Sequence, residues 1–107
     1  MAAKKTGAPR RDGELAVKER TRTRRPRRYK VLIYNDDYTA MEFVVELLQV
    51  LFGKSPSEAT QVMLKIHVEG QGVAGIYPHE QAETKVLEVH HHAREAGYPL
   101  RAGMEEE

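Results

Sequence analysis

Asn35-Asp36-Asp37 stands directly after an apolar run and directly before a helix-start pattern, and it is the most unusual chemical grouping in the sequence. Read alone, these residues make a turn. Two neighbouring carboxylates also suit a metal or another cation. An amide beside carboxylates suits a substrate ammonium group, which only donates and so needs only acceptors. His67 follows Met63 by four residues and adjoins Ile66, so on a helix it borders an apolar face, where a lone histidine is ordinarily a satisfied boundary residue. His90-His91-His92 points three ways around a helix at about 100° per residue and lacks the i, i+4 pairing of an H-E-x-x-H zinc site; it reads as solvated helix surface. His79-Glu80-Gln81-Ala82-Glu83 is no zinc motif either, but a helix start with acids in the favourable first turn. The chain has no cysteine, no G-x-S-x-G and no glycine-rich phosphate loop, and Ser55 and Ser57 sit in a helix start. The reading is therefore of a non-enzyme, with no cofactor and no metal.

The elements that must position these residues are legible. Tyr29-Lys30-Val31-Leu32-Ile33-Tyr34 is a β-branched and aromatic run of strand length that stops at the polar triplet. Thr39-Ala40-Met41-Glu42 matches a capping box, and Val44, Leu47, Leu48 and Leu51 follow at helical spacing up to Gly53. Ser55-Pro56-Ser57-Glu58 is a second capping box, with Pro at the first helical position, leading to Ala59, Val62, Met63 and Ile66 on one face before Gly70. Val73 to Tyr77 is a short β segment. Glu80 to Ala96 carries Ala82, Val86, Val89 and Ala93 on one stripe, with Gly97 as its stop. Pro99 to Met104 permits a last strand before Glu105-Glu106-Glu107, which are expected to be solvated. The expected fold is α+β, a three-stranded antiparallel sheet packed on three helices in the order β-α-α-β-α-β.

At 107 residues the chain has room for one core. With 40% hydrophobic residues, 31% charged and zero Cys, the composition is that of a globular cytoplasmic protein rather than a disulfide-stapled one. No apolar run reaches membrane-spanning length, and the charged N-terminus is no signal peptide. The net charge of +1 conceals a division: residues 1–30 hold twelve Lys/Arg against three acids, a balance of +9, and residues 31–107 hold five against thirteen, a balance of −8. Arg20 to Arg28 contains six arginines with only threonines and Pro26 between them, so it has nothing to bury. Residues 1–28 are expected to form a disordered basic N-terminal extension and residues 29–107 the folded domain. An arginine-rich tail also suits phosphate contacts, so a nucleic-acid or ribosome-associated module is the alternative reading. Against it, the folded part is acidic and has no array of stacking aromatics.

Taken together, Tyr29 to Val44, Ala59 to His67 (Ala-Thr-Gln-Val-Met-Leu-Lys-Ile-His) and Ala82-Glu83-Thr84-Lys85-Val86 resemble the ClpS family, adaptors of the bacterial Clp protease. The resemblance runs from Tyr29 to Leu100. It implies an adaptor that binds N-degron substrates beginning with Leu, Phe, Tyr or Trp and delivers them to the N-terminal domain of a ClpA-type unfoldase. It implies that Asn35, Asp37 and His67 hold the α-amino group with Asp36 in support. It also implies that Ile33, Thr39, Met41, Val44, Met63, Ile66 and Leu100 form the side-chain pocket, with Met41 as its gate against β-branched residues. Glu80 and Lys85 fall on the implied docking face for the unfoldase. The resemblance further implies a monomer that works without nucleic acid, membrane or bound nucleotide. One departure is Ala40, where the family usually has Pro.

Overall fold

The computed structural model describes residues 26–107; the expectation for the basic extension falls almost wholly outside them. Its elements are β1 (Arg28–Tyr34), α1 (Met41–Phe52), α2 (Pro56–Glu69), β2 (Gln71–Pro78), α3 (His79–Ala96) and β3 (Arg101–Glu106), so the order matches the one read from the sequence. The sheet is antiparallel in the order β2-β1-β3. β1 is the central strand, and Val31, Leu32 and Ile33 are all buried within it. A bulge falls where Val31 faces Gly75 and Leu32 faces Val73, leaving the buried Ala74 as the extra residue of β2.

The helices begin and end for different local reasons. At α2 the Ser55 hydroxyl accepts from the Glu58 N–H and the Glu58 carboxylate accepts from the Ser55 N–H, so this capping box forms as expected. Those bonds hold the Glu58 carboxyl below its ordinary value. The box expected at Thr39 does not form. The residue preceding α1 is Ala40, which has no side chain to accept with, while the Thr39 hydroxyl donates instead to Asp36 Oδ2 at 2.7 Å. α2 ends at Gly70 in the left-handed region, φ 95°, a conformation costly for residues with a Cβ.

The core joins Ile33 of β1, Val44, Leu47 and Leu48 of α1, Ala59 and Ile66 of α2, Val89 and Ala93 of α3, and Leu100 and Ala102 at the start of β3. α3 also closes the outer edge of the sheet. His90 is half-buried, and its Nε2 accepts from the Ala102 N–H at 3.0 Å. An edge-strand donor is thereby satisfied. The expectation of three solvated histidines is thus corrected at His90, whereas His91 and His92 are exposed.

β3 extends further than expected, to Glu106. Its acids and the following Glu107 are exposed but paired with basic residues at and just before the start of β1: Glu105 with Lys30 at 3.5 Å, Glu106 with Arg27 at 3.3 Å, and Glu107 with Arg28 at 2.9 Å. The hydrogen bond from Arg28 holds the Glu107 carboxyl below its ordinary value and the Arg28 guanidinium above its own. Among the described residues no helix is long and apolar enough to cross a membrane.

Candidate functional site

β1 runs into the Asn35–Asp37 loop at one end of the sheet, and the chain's own hydrogen bonds fix where that loop lies. The Asn35 N–H donates to the Gly70 carbonyl at 2.9 Å, which ties the start of the loop to the end of α2. His67 occupies the last turn of the same helix. Asp36 orders the rest: one carboxylate oxygen accepts from the Tyr38 and Thr39 N–H groups, both at 2.8 Å, and the other accepts from the Thr39 hydroxyl. Three donors on one carboxylate make Asp36 the organiser of the loop. Asn35, Asp37 and His67 are exposed.

Beside this loop lies a narrow depression of about 20 Å³, lined by Tyr34, Asn35, Asp36, Thr39, Met41, Val44, Met63, Ile66, His67 and Leu100. Nine of the residues singled out in the sequence converge there. Two others do not. Ile33 is fully buried in the core and forms no part of the lining, and Asp37 lies on the loop outside it. Tyr34 joins the lining without having been singled out. The signal for it was available: the last residue of a strand, immediately before the polar triplet, has to stand at the mouth of whatever the loop surrounds.

The floor is apolar and well supported. Val44, Ile66 and Leu100 are buried, and Ile66 packs so closely on β2 that a Cβ at Gly72 would stand 2.8 Å from its Cγ1. A side chain at Gly72 would drive Ile66 into the depression. Met41 stands at the rim, 44% exposed, in the first turn of α1. A free volume of about 20 Å³ holds little more than one water molecule, so a larger occupant requires side chains to swing aside. The two methionines are the flexible members of the wall. The arrangement offers acceptors on a rim and an apolar slot below them. Among the described residues no three His, Asp or Glu side chains are grouped to hold a metal ion.

The second set of residues singled out in the sequence lies on α3. Glu80 and Lys85 both line a shallow groove of about 370 Å³ with Tyr77, Gln81, Thr84 and Glu88. Glu80 is exposed, but the Lys85 ammonium turns inward and donates to the Leu51 carbonyl at the end of α1, at 2.6 Å. It also lies 5.7 Å from the Phe52 ring centre and 5.9 Å from that of Tyr77. Glu88 Oε1 stands 3.5 Å from the ammonium, a contact of charges without hydrogen-bond geometry, and among the described residues nothing else bonds that buried oxygen. Burial, with Glu88 adding to it, pushes the Tyr77 phenol up from its ordinary value.

Comparison with known proteins bears on the whole described region. A protein-family model described as "ATP-dependent Clp protease adaptor protein ClpS" matches residues 24–103. The ATP-dependent Clp protease adapter protein ClpS of Wolinella succinogenes is 55% identical over 95 residues, covering 89% of this chain and 93% of that one. Its counterpart in Deinococcus radiodurans is 48% identical over 101 residues, covering 94% and 89%. The solved structure of Agrobacterium tumefaciens ClpS2 bound to L-phenylalaninamide matches with a TM-score of 0.75 at 40% identity, covering 78% of this chain and 100% of that one. With that family match spanning most of its length, and relatives near half identity across nearly all of it, this chain belongs to the ClpS family of ATP-dependent Clp protease adaptor proteins.

Proposed function

We propose that the depression is an N-degron pocket, and that this adaptor grips proteins by a free N-terminal Leu, Phe, Tyr or Trp and delivers them to a ClpA-type unfoldase. One observation carries the reading: an apolar slot opens beneath a rim of exposed acceptors contributed by Asn35 and His67, with Asp37 on the adjoining loop. An α-ammonium group brings only donors, and a large apolar side chain attached to the same carbon reaches the slot. The Agrobacterium relative's ligand, L-phenylalaninamide, joins a free amino group to an aromatic side chain, which supports the same use of this site.

The energetics call for both halves. Burying a Leu or aromatic side chain removes on the order of 150 to 250 Å² from water, worth roughly 4 to 6 kcal/mol. A micromolar complex needs about 8 kcal/mol after the loss of translational and rotational freedom. Charge-assisted bonds to the ammonium group, at about 1.5 to 3 kcal/mol each, make up the difference. Asp36 acts through the loop it orders, and Met41 acts as the gate. Glu80, exposed on α3, belongs to the proposed docking face with Lys85, and residues 1–28 are the proposed handle for the unfoldase.

The test is binding of peptides that differ only at the first residue, labelled at the C-terminus. Peptides beginning with Leu, Phe, Tyr or Trp are expected to bind, and the same peptides N-acetylated to lose about a hundredfold or more in affinity, as two charge-assisted bonds disappear. Equal affinity for free and acetylated peptides overturns the reading.

A further inference from the structure

Three methionines lie among the described residues, and their settings differ. Met63 on α2 and Met104 on β3 are half-buried, whereas Met41, in the first turn of α1, is exposed. Met41 and Met63 both line the slot, and Met104 does not. The slot wall therefore has one thioether side chain open to solvent and one more shielded. With free space for about one water molecule, the slot takes a large side chain only when these flexible members swing aside and then lie along what has entered.

We propose that Met41 is a modification site, where oxidation of its thioether to the sulfoxide by a peroxide lowers the grip of the slot on a substrate's first side chain. The proposal rests on the N-degron reading of the slot. In the reaction the sulfur lone pair attacks one peroxide oxygen, the O–O bond breaks and an S–O bond forms. With hydrogen peroxide the other oxygen leaves as hydroxide and takes the proton of the new S–OH group, so the products are the sulfoxide and water. Sulfur is oxidised by two electrons and the peroxide is reduced by two. Access to the oxidant sets the order in which such side chains react, and it puts Met41 ahead of Met63 and Met104.

The product is a polar side chain where an apolar one stood. Its oxygen accepts hydrogen bonds, and covering that oxygen without a donor is costly. Three donors of the loop that leads into α1 are already committed: the Tyr38 N–H, the Thr39 N–H and the Thr39 hydroxyl all donate to Asp36. The side chains of the floor, Val44, Ile66 and Leu100, are apolar and offer none. An oxidised Met41 that closes over a bound side chain gives up its water and gains no partner in return. The free slot suffers no such loss, because there Met41 is exposed. Oxidation thus weakens the complex and leaves the empty adaptor folded.

The experiment treats the full chain with increasing hydrogen peroxide, removes the oxidant and takes two readouts from each sample. Trypsin puts each of these methionines on a peptide of its own, 31–54 for Met41, 55–65 for Met63 and 102–107 for Met104, so mass spectrometry follows the added oxygen at each. Anisotropy of a C-terminally labelled peptide beginning with Leu follows the slot. Met41 is expected to take up oxygen first, and affinity to fall about tenfold as it does, toward the low end for covering a polar group without a partner. Methionine sulfoxide reductases restore it. Met41→Leu, compared with itself before and after the same treatment, is expected to hold its affinity. Met41→Gln, polar and similar in length, is expected to bind more weakly than Met41→Leu. Oxygen appearing first at Met63 or Met104, an unchanged affinity once Met41 is oxidised, or an equal fall in Met41→Leu overturns the proposal, and the slot stands so long as the acetylated Leu peptide fails to bind. Should acetylated and free peptides bind the untreated chain equally, the slot reading falls and takes this proposal with it.

Discussion

The loop at Asn35–Asp37 and the groove on α3 each pair a committed charge with an exposed one. In the loop, Asp36 is consumed by the Tyr38 and Thr39 N–H groups and the Thr39 hydroxyl, and Asn35, Asp37 and His67 are left exposed. On α3, the Lys85 ammonium is consumed by the Leu51 carbonyl at the end of α1, and Glu80 is left exposed. The surroundings differ. The loop borders an apolar slot floored by Val44, Ile66 and Leu100, whereas the α3 groove is walled by Glu80, Gln81, Thr84, Lys85 and Glu88 around one tyrosine. A slot of that kind can discriminate by shape, because a side chain either enters it or does not. A shallow face that carries charged groups discriminates in part by charge, and that part is sensitive to salt. The comparison also separates residues that hold a surface in place from residues left exposed on it, even where both carry charge.

Three experiments sharpen that comparison. The largest effect is expected at the slot. Met41→Ala removes bulk from the rim, and peptides beginning with Ile or Val should gain about tenfold or more in affinity, the discrimination that one or two methylene-sized groups impose in an apolar pocket. Competition against a Leu peptide measures it, and a variant that rejects Ile and Val as strongly as the parent removes Met41 from its proposed role as gate.

The second experiment divides the α3 groove. Lys85→Met keeps the aliphatic stem but loses the bond to the Leu51 carbonyl and strips the buried Glu88 oxygen of its counter-charge. A loss of about 1 kcal/mol is expected, or about 5 °C in Tm for a domain of this size. Glu80→Lys, at an exposed position, should leave stability within about 0.5 kcal/mol of the parent and act on docking alone. Thermal melts decide the first half and pull-down with the unfoldase's N-terminal domain the second. An unchanged Tm in Lys85→Met would show the inward geometry to be without consequence.

The smallest effect is set by acid. Glu58 is held below its ordinary value by the Ser55 bonds, and Glu107 by Arg28. Each therefore ionises more readily in the folded chain. The stability they lend is complete above the ordinary carboxylate value of 4.5 and is lost as pH falls through their lowered values. Replacing both by Gln should flatten the fall of Tm below about pH 5. If the parent and the double variant lose Tm in parallel, these carboxylates are not the groups that titrate.

Much of this was written locally. The order of elements follows from apolar periodicity and from glycines that stop helices, and the Ser55 box follows from four adjacent residues. What escaped the sequence was decided between residues distant along the chain or by competition between neighbours. Thr39 had the right spacing to cap α1, but an adjacent carboxylate offered its hydroxyl a charged acceptor and won it. His90 sat in a triplet that looked wet until β3 presented an edge N–H twelve residues on. Glu105 and Glu106 looked like a solvated tail because their partners, Lys30 and Arg27, lie at the other end of the chain. At the slot, the resemblance named nine residues that line the depression together, and also Ile33, whose position on the central strand buries it completely.

The central place of β1 has a mechanical consequence. Residues 1–25 are joined to the described chain through Pro26 and Arg27, and β1 begins one residue later. Any pull exerted through the N-terminus therefore arrives at the middle strand of the sheet, not at an edge. An edge strand under tension gives way along one ladder; β1 is bonded to β2 on one side and to β3 on the other along its whole length. At the point of entry the load first meets the Arg28–Glu107 contact, where the Glu107 N–H also donates to the Arg28 carbonyl at 2.8 Å. Traction from the N-terminal side must break both ladders before it can reach Asn35. The slot at the far end of β1 is thus insulated from forces applied at the near end, so that under the proposed reading a motor pulling there leaves a seated substrate undisturbed.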